Sequence, residues 1–223
     1  MDSTGGRAYM LGPMKPNRTV RTVALALLAG AIAPVLAPAF AEEQRPPTLP
    51  SRDVAVTYQV TGVAADALPG GAPGDLQLAW DAAGRRLHIS AQGQPQAAIV
   101  DLAEGKAEIL DAGSHTALIL PLGKRVTGSM TLSGARFRRD GTERVAGQDC
   151  TDYAVQAPHG SGTLCITSDG VPLRGDGTWD GEAGRFVATR VDYGPQPDAL
   201  FETPPGFMKL SLPKSLGTMG TTR

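Results

Sequence analysis

The chain has 223 residues, with 21 Lys and Arg against 22 Asp and Glu for a formal net charge of −1, and it is 41% hydrophobic but only 5% aromatic. A charge so balanced excludes general nucleic-acid binding, which depends on neutralising phosphates with a basic surface. The length fits one domain behind a targeting segment.

That segment comes first. Lys15, Arg18 and Arg21 precede an apolar run from Val23 to Leu36, and "AFA" follows at Ala39 to Ala41. Residues 1–41 therefore read as a secretory signal peptide, with cleavage expected after Ala41. The start before Met14 is either an extended leader or an overlong one. Gly30 and Pro34 interrupt the apolar run, and a spanning helix needs about 20 largely apolar residues, so no stable membrane span is expected in the mature chain. No cysteine follows the small-residue site, so no lipidated N-terminus is indicated. The expected location is periplasmic or secreted. Removing 41 of 223 residues takes four basic and one acidic side chain, leaving 17 basic against 21 acidic.

Residues 42–52, "EEQRPPTLPSR", read as a proline-rich extended tether. A single β domain is then expected over 53–213. Short runs of alternating apolar and polar residues are separated by glycine-centred turns, the pattern of an antiparallel all-β domain. "DVAVTYQVTG" places Val54, Val56, Tyr58 and Val60 on one face. "GDLQLAWDAAGRRLHIS" does the same with Leu76, Leu78 and Trp80, turns at "DAAG", and returns with Leu87 and Ile89. "QAAIVDLAEGKAEILDA" repeats the device, and "HTALILPL" follows "DAGS". Such closely spaced hairpins predict a meander.

From Gly123 to Arg136 the period weakens, and the segment reads equally as a short helix lined by Val126, Met130 and Leu132 or as a covering loop. The meander resumes with "RFRRDGTERVAG", "QDCTDYAVQ", "SGTLCITSDG", "VPLRGDGTWD" and "GRFVATRVDYG". "RDGT", "SDGV" and "DGEAGR" carry the Asp-Gly signature of tight hairpins. The basic stretch Ala135 to Arg144 reads as a solvated strand edge. Prolines confine the run Phe207 to Leu212 to an edge at best, and 214–223 read as a disordered tail.

Two cysteines, Cys150 and Cys165, occur in the whole chain. A hairpin whose loop is centred between Ala157 and Pro158 pairs residues whose numbers sum to 315, as these two do. In that register they face one another, with Thr151, Tyr153, Val155, Leu164 and Ile166 on the opposite, apolar face and the cysteines on the more polar one. A disulfide is the expectation in an exported protein. A redox dithiol is disfavoured by the spacing and the absence of a helix signal.

The order "VAGQDCTDYAV", "GTLCIT", "GVPLRG" and "ATRVDYGPQPDALFETPPGFMKL" resembles an uncharacterised family of exported bacterial β-sheet proteins. Its Gly-x-x-Cys-x-x-aromatic and Phe-x-x-Pro-x-Gly-aromatic patterns match Gly147, Cys150 and Tyr153, then Phe201, Pro204, Gly206 and Phe207. The earlier meander looks like the half-open barrel of lipoprotein carriers of the LolA and LolB type. The resemblance implies a fold more than an activity, and the low aromatic content departs from a lipid-holding cavity.

Catalytic, cofactor and metal residues are not indicated. His88, His115 and His159 share no ligand spacing, and His88 alternates with Leu87 and Ile89 so as to face solvent. There is no GxSxG, and "GSG" at Gly160 to Gly162 reads as a hairpin loop. Asp140 with Glu143 and Asp176 with Asp180 are explained by turn chemistry, and "DGTWDGE" only partly resembles a calcium loop. Trp80 and Trp179 end strands, either rimming a cavity or packing hairpin ends.

The reading is thus an antiparallel meander forming a strongly curved sheet or half-open barrel, with a short covering helix as an option. A non-enzymatic periplasmic binding or carrier module for an apolar ligand such as a lipid or acyl chain is expected first. An envelope protein-protein interaction module stands second, and a hydrolase with an unrecognised site third. Whether the concave face is open or self-filled separates the first two.

Overall fold

In the computed structural model, residues 45–62 and 74–211 are described. The expected leader, residues 42–44 and the tail 214–223 lie outside them. A first meander comprises β1 (Val54–Gly62), β2 (Gly74–Asp81), β3 (Arg86–Ala91), β4 (Gln96–Asp101), β5 (Lys106–Asp111) and β6 (Thr116–Pro121). Helix α1 (Lys124–Met130) connects it to a second. The second contains β7 (Arg136–Val145), β8 (Gln148–Ala157), β9 (Gly160–Ile166), β10 (Pro172–Trp179) and β11 (Glu182–Tyr193). A 3-10 turn at Asp198–Phe201 and edge strand β12 (Met208–Ser211) follow.

One 12-stranded sheet results, in the order β12-β6-β5-β4-β3-β2-β1-β11-β10-β9-β8-β7. The meanders join where β1 pairs antiparallel with β11, and β12 alone pairs parallel, with β6. This order requires curvature. β6 and β7 lie ten strand positions apart, about 48 Å across a flat sheet. Their connection includes a helix of 7 residues and reaches about 38 Å at full extension. The sheet therefore bends, and it brings β7 near β11 although they are not neighbours in the order.

Period-two patterning sets the core. Val54, Val56, Tyr58 and Val60 are buried along β1, and the register places Trp80, Leu78 and Leu76 beside Val54, Val56 and Tyr58. Leu87 and Ile89 continue the face as expected. The opposite face of the first meander is covered too. Ile99, Leu110 and Ala117 pack with Phe207, while Phe201 is buried with the Arg86 guanidinium 5.0 Å from its ring centroid. His88 lies on this covered face and is half-buried, so the expectation that it meets open solvent is corrected; burial lowers its pKa.

Residues 45–52 carry no strand or helix but pack along the domain. Arg45 Nη2 donates to the carbonyls of Thr131 and Leu132, and the Thr48 hydroxyl donates to the Thr131 carbonyl at 3.0 Å. Trp80 Nε1 donates to the Pro50 carbonyl at 2.8 Å, which places Trp80 in the core rather than on a rim. Arg52 donates to Asp169 at 2.6 Å, with its guanidinium 3.7 Å from the Tyr193 ring centroid.

Partial burial alone would raise the Asp169 pKa, but hydrogen bonds from Thr167, Arg52 and Tyr193 outweigh it and hold the carboxyl below its ordinary value of 3.8. A depressed carboxylate contributes stability that is present above the unfolded-state pKa and lost as pH falls through the folded-state one. The urea midpoint is therefore expected to drop between about pH 5 and pH 2, and Asp169→Asn to lower it at neutral pH while flattening that decline.

The structure contains the Cys150–Cys165 disulfide, with Cα atoms 5.4 Å apart. The expected register is corrected, however. Asp152 pairs with Cys165 and Ala157 with Gly160, so paired numbers sum to 317 and the disulfide runs diagonally. Pro158 and His159 form the turn, and Gly160 already belongs to β9. Glu143, Asp152 and Arg174 share the cysteine side of the sheet as the polar-face reading implies, yet both cysteines are buried within the main core cluster.

"RDGT" is likewise corrected. It lies within β7, where the register shifts between Arg139 and Gly141, so it forms a bulge and not a hairpin turn. A bulge bends an exposed edge away from further pairing. The segment left open between helix and loop forms α1, but Val126 is 48% exposed, and it is Leu132, beyond the helix, that packs against the sheet.

Candidate functional site

Glycines recur with period two in β9, at Gly160 and Gly162, and in β10, at Gly175 and Gly177. Cross-strand register aligns Gly162 with Gly177, Gly177 with Gly184, and Gly184 with Gly62. A transverse row of four glycines thus crosses β9, β10, β11 and β1. The reason is close backbone approach. A β-carbon at Gly162 would lie 2.2 Å from the Asp176 carbonyl oxygen, and one at Gly177 would lie 2.4 Å from that of Ser161. No side chain fits there, so the strands pinch together and the sheet bends along the row.

The bend makes a hollow of about 550 Å³, within the range of roughly 300–1,000 Å³ typical of small-molecule sites. Leu132, Val155, Leu164, Phe186 and Trp179 wall it above the glycine floor. Register places Val155, Leu164 and Phe186 on the glycine face, together with Tyr58 and Val60 of β1. One end is closed by core: Phe186 meets the Tyr58 ring edge-on at 5.4 Å, and the Tyr58 hydroxyl donates to the Pro172 carbonyl at 2.7 Å. The other end opens at the strand tips, where Asp180, Gly181 and Glu182 are exposed. Leu132 completes the wall from a left-handed backbone conformation, φ 50°, and such strain in a non-glycine residue persists only where the surroundings hold it. Arg45 and Thr48 supply that hold through the Thr131 and Leu132 carbonyls.

The concave face is therefore self-filled along β1 to β3 and open over β8 to β11. "GSG", read from sequence as a hairpin loop, is instead strand and cavity floor, and Trp179 lines the cavity whereas Trp80 does not. The histidines remain apart. His115 packs on Phe207 with ring centroids 5.6 Å apart, and His159 pairs with Asp180 at 3.4 Å. Asp176 and Arg185 contribute to the lining, but their register partners turn both side chains to the face opposite the glycines.

Glu143, Asp152 and Cys165 also converge, in a geometry that invites a metal reading. The Cys165 sulfur is committed to the disulfide, and Arg174 Nη2 bridges the carboxylates at 2.7 and 2.8 Å. The cluster is electrostatically complete without a cation.

The chain matches no protein-family model and no curated protein. Among solved structures it is similar to an uncharacterized conserved protein from Thermus thermophilus, at 13% identity and TM-score 0.49, covering 73% of this chain and 91% of that one. It is also similar to MucB in the Pseudomonas aeruginosa MucA/MucB complex, at 18% identity and TM-score 0.44, covering 66% of this chain and 54% of that one. The chain thus spans about half of MucB. A third neighbour is a putative outer membrane lipoprotein-sorting protein domain from Vibrio parahaemolyticus, at 8% identity and TM-score 0.36, covering 67% and 89%.

Proposed function

We propose that the protein is an exported, non-enzymatic binding or carrier module that holds an apolar chain in the cavity over the glycine row. The observation that carries this reading is the combination of an apolar wall with a floor of backbone too tight for side chains. Such a site buries a chain along its length, at about 0.8 kcal/mol per methylene removed from water. The expected signal peptide, ending at Ala41, supports a location in the envelope.

Native mass spectrometry of gently purified protein is expected to find a co-purifying amphiphile. Leu132→Asn provides the site-specific test. Asparagine accepts the left-handed conformation, so folding stability should change by no more than about 1.5 kcal/mol, while a polar amide in the wall should weaken dodecyl-probe binding at least about fivefold. Unaltered binding would remove the cavity from consideration.

A second reading, an envelope protein-protein interface, is favoured by the edge strand β12, whose Met208 and Leu210 are 63% and 45% exposed. Protein that emerges free of ligand and ignores every dodecyl probe would move the proposal there.

A further inference from the structure

The mouth of the cavity carries a chemical preference of its own. Around the glycine face at the strand tips stand the Trp179 ring and the carboxylates of Asp180 and Glu182. Trp179 pairs with Glu182 across β10 and β11, so both side chains belong to that face. His159 Nδ1 lies 3.4 Å from an Asp180 carboxylate oxygen and its ring tilts against Trp179 with centroids 6.1 Å apart, so Asp180 is shared with His159 and Glu182 is the principal carboxylate of the mouth.

Most arginines nearby are directed elsewhere, and the two on the cavity side stand inward of Trp179: Arg139 pairs with Tyr153 in the row of Leu164 and Gly175, and the Arg45 guanidinium, bound to the Thr131 and Leu132 carbonyls, lies 5.4 Å from the Phe137 ring centroid. Arg185 lies opposite Asp176 on the reverse face, and Arg174 binds Glu143 and Asp152 there. Arg136 and Arg138 pair with Gln156 and Ala154, alternating with Phe137 and Val155, which belong to the cavity side. An amphiphile seated with its chain toward Phe186 would thus present its polar end to an aromatic face and two carboxylates.

We propose that the cavity selects an amphiphile whose polar end is an ammonium group and discriminates against carboxylate and phosphate ends. The proposal rests on the carrier reading and adds the class of ligand. An ammonium over the face or edge of tryptophan is attracted by the ring quadrupole. The carboxylates at this exposed mouth add a Coulomb contribution that salt screens within about 8–10 Å. A carboxylate or phosphate end would meet the same charges as repulsion. An uncharged hydroxyl end meets neither effect and should fall between.

The test uses three probes of one chain length, dodecylammonium, dodecanol and dodecanoate, each below its micelle concentration. Binding to the full exported chain is followed by calorimetry and by Trp179 fluorescence, against the constant background of buried Trp80. Dodecylammonium is expected to bind about tenfold more tightly than dodecanoate at low ionic strength, with the ratio shrinking as salt is added. Glu182→Gln combined with Asp180→Asn should bring the ratio close to one while dodecanol affinity stays unchanged. Asparagine suits the left-handed backbone of residue 180, φ 49°, so folding is preserved. Glu182→Gln alone, at an exposed position, should remove part of the preference.

Dodecanol binding with no advantage for the ammonium, or a ratio indifferent to the double variant, overturns the ammonium proposal and leaves the carrier reading standing. Failure of all three probes overturns both.

Discussion

Gly177→Ala is expected to destabilise the fold by about 3 kcal/mol, read as a lowered urea midpoint. Its β-carbon would meet the Ser161 carbonyl oxygen at 2.4 Å and Gly162 Cα at 2.8 Å. Both are backbone atoms, so no rotamer change relieves the contact; β9 and β10 must separate or the sheet must flatten. Gly162→Ala should cost a similar amount through the Asp176 carbonyl. Because the two glycines are direct partners, the double variant should cost less than the sum, since the first substitution already forces the strands apart. Gly123→Ala is the control. A β-carbon there meets nothing within 4 Å, and because Gly123 caps α1 its cost should stay within about 1 kcal/mol. Equal costs at Gly177 and Gly123 would refute the pinched-strand account.

That the row exists was legible in part. Alternation of Val54, Val56, Tyr58 and Val60 declares a strand with one buried face, and "DAAG", "AEGK" and "DAGS" mark real hairpins. The glycines send a mixed signal. In "RDGT" and "GSG" they sit inside strands, because glycine serves a bulge or a close backbone approach as readily as a turn. What distinguishes them in "GSG" and "GDG" is the period of two, Gly160 with Gly162 and Gly175 with Gly177, which a turn does not require. Their alignment with Gly184 and Gly62 depends on pairings between strands distant in sequence, and no local pattern contains it.

The cavity wall was less accessible still. Leu132 stood in a segment of weakened period, and its position follows from the contacts that residues 45–48 make with the end of α1. A proline-rich stretch before a domain has the composition of a tether whether or not it docks. Arg45 and Thr48 acquire their partners more than eighty residues away in sequence, at separations of 86 and 83. His88 was misplaced for a related reason. Alternation identifies its face correctly, but the cover supplied by Phe201 and its neighbours comes from the far end of the chain.

Replacing both Cys150 and Cys165 with alanine is expected to cost about 3 kcal/mol, the loop-closure value for a separation of this size, and to leave dodecyl-probe affinity unchanged. The second half follows from register. Cys165 pairs with Asp152 and Arg174, on the face opposite Gly162, Gly175 and Gly177. Hydrophobic patterning leaves the register of this hairpin ambiguous. A slip of one residue would turn every side chain of β9 over, but a slip of two keeps Tyr153, Val155, Leu164 and Ile166 on their face, so both the 315 and the 317 pairings satisfy the pattern. The two-residue turn at Pro158 and His159 sets the second, and the disulfide then spans the strands diagonally. Amide exchange in β8 and β9 should therefore accelerate more than elsewhere in the double-alanine variant. Reduction of the parent should reproduce both effects. Free thiols in protein purified without reductant, or lost binding with unchanged stability, would assign the pair a working role instead.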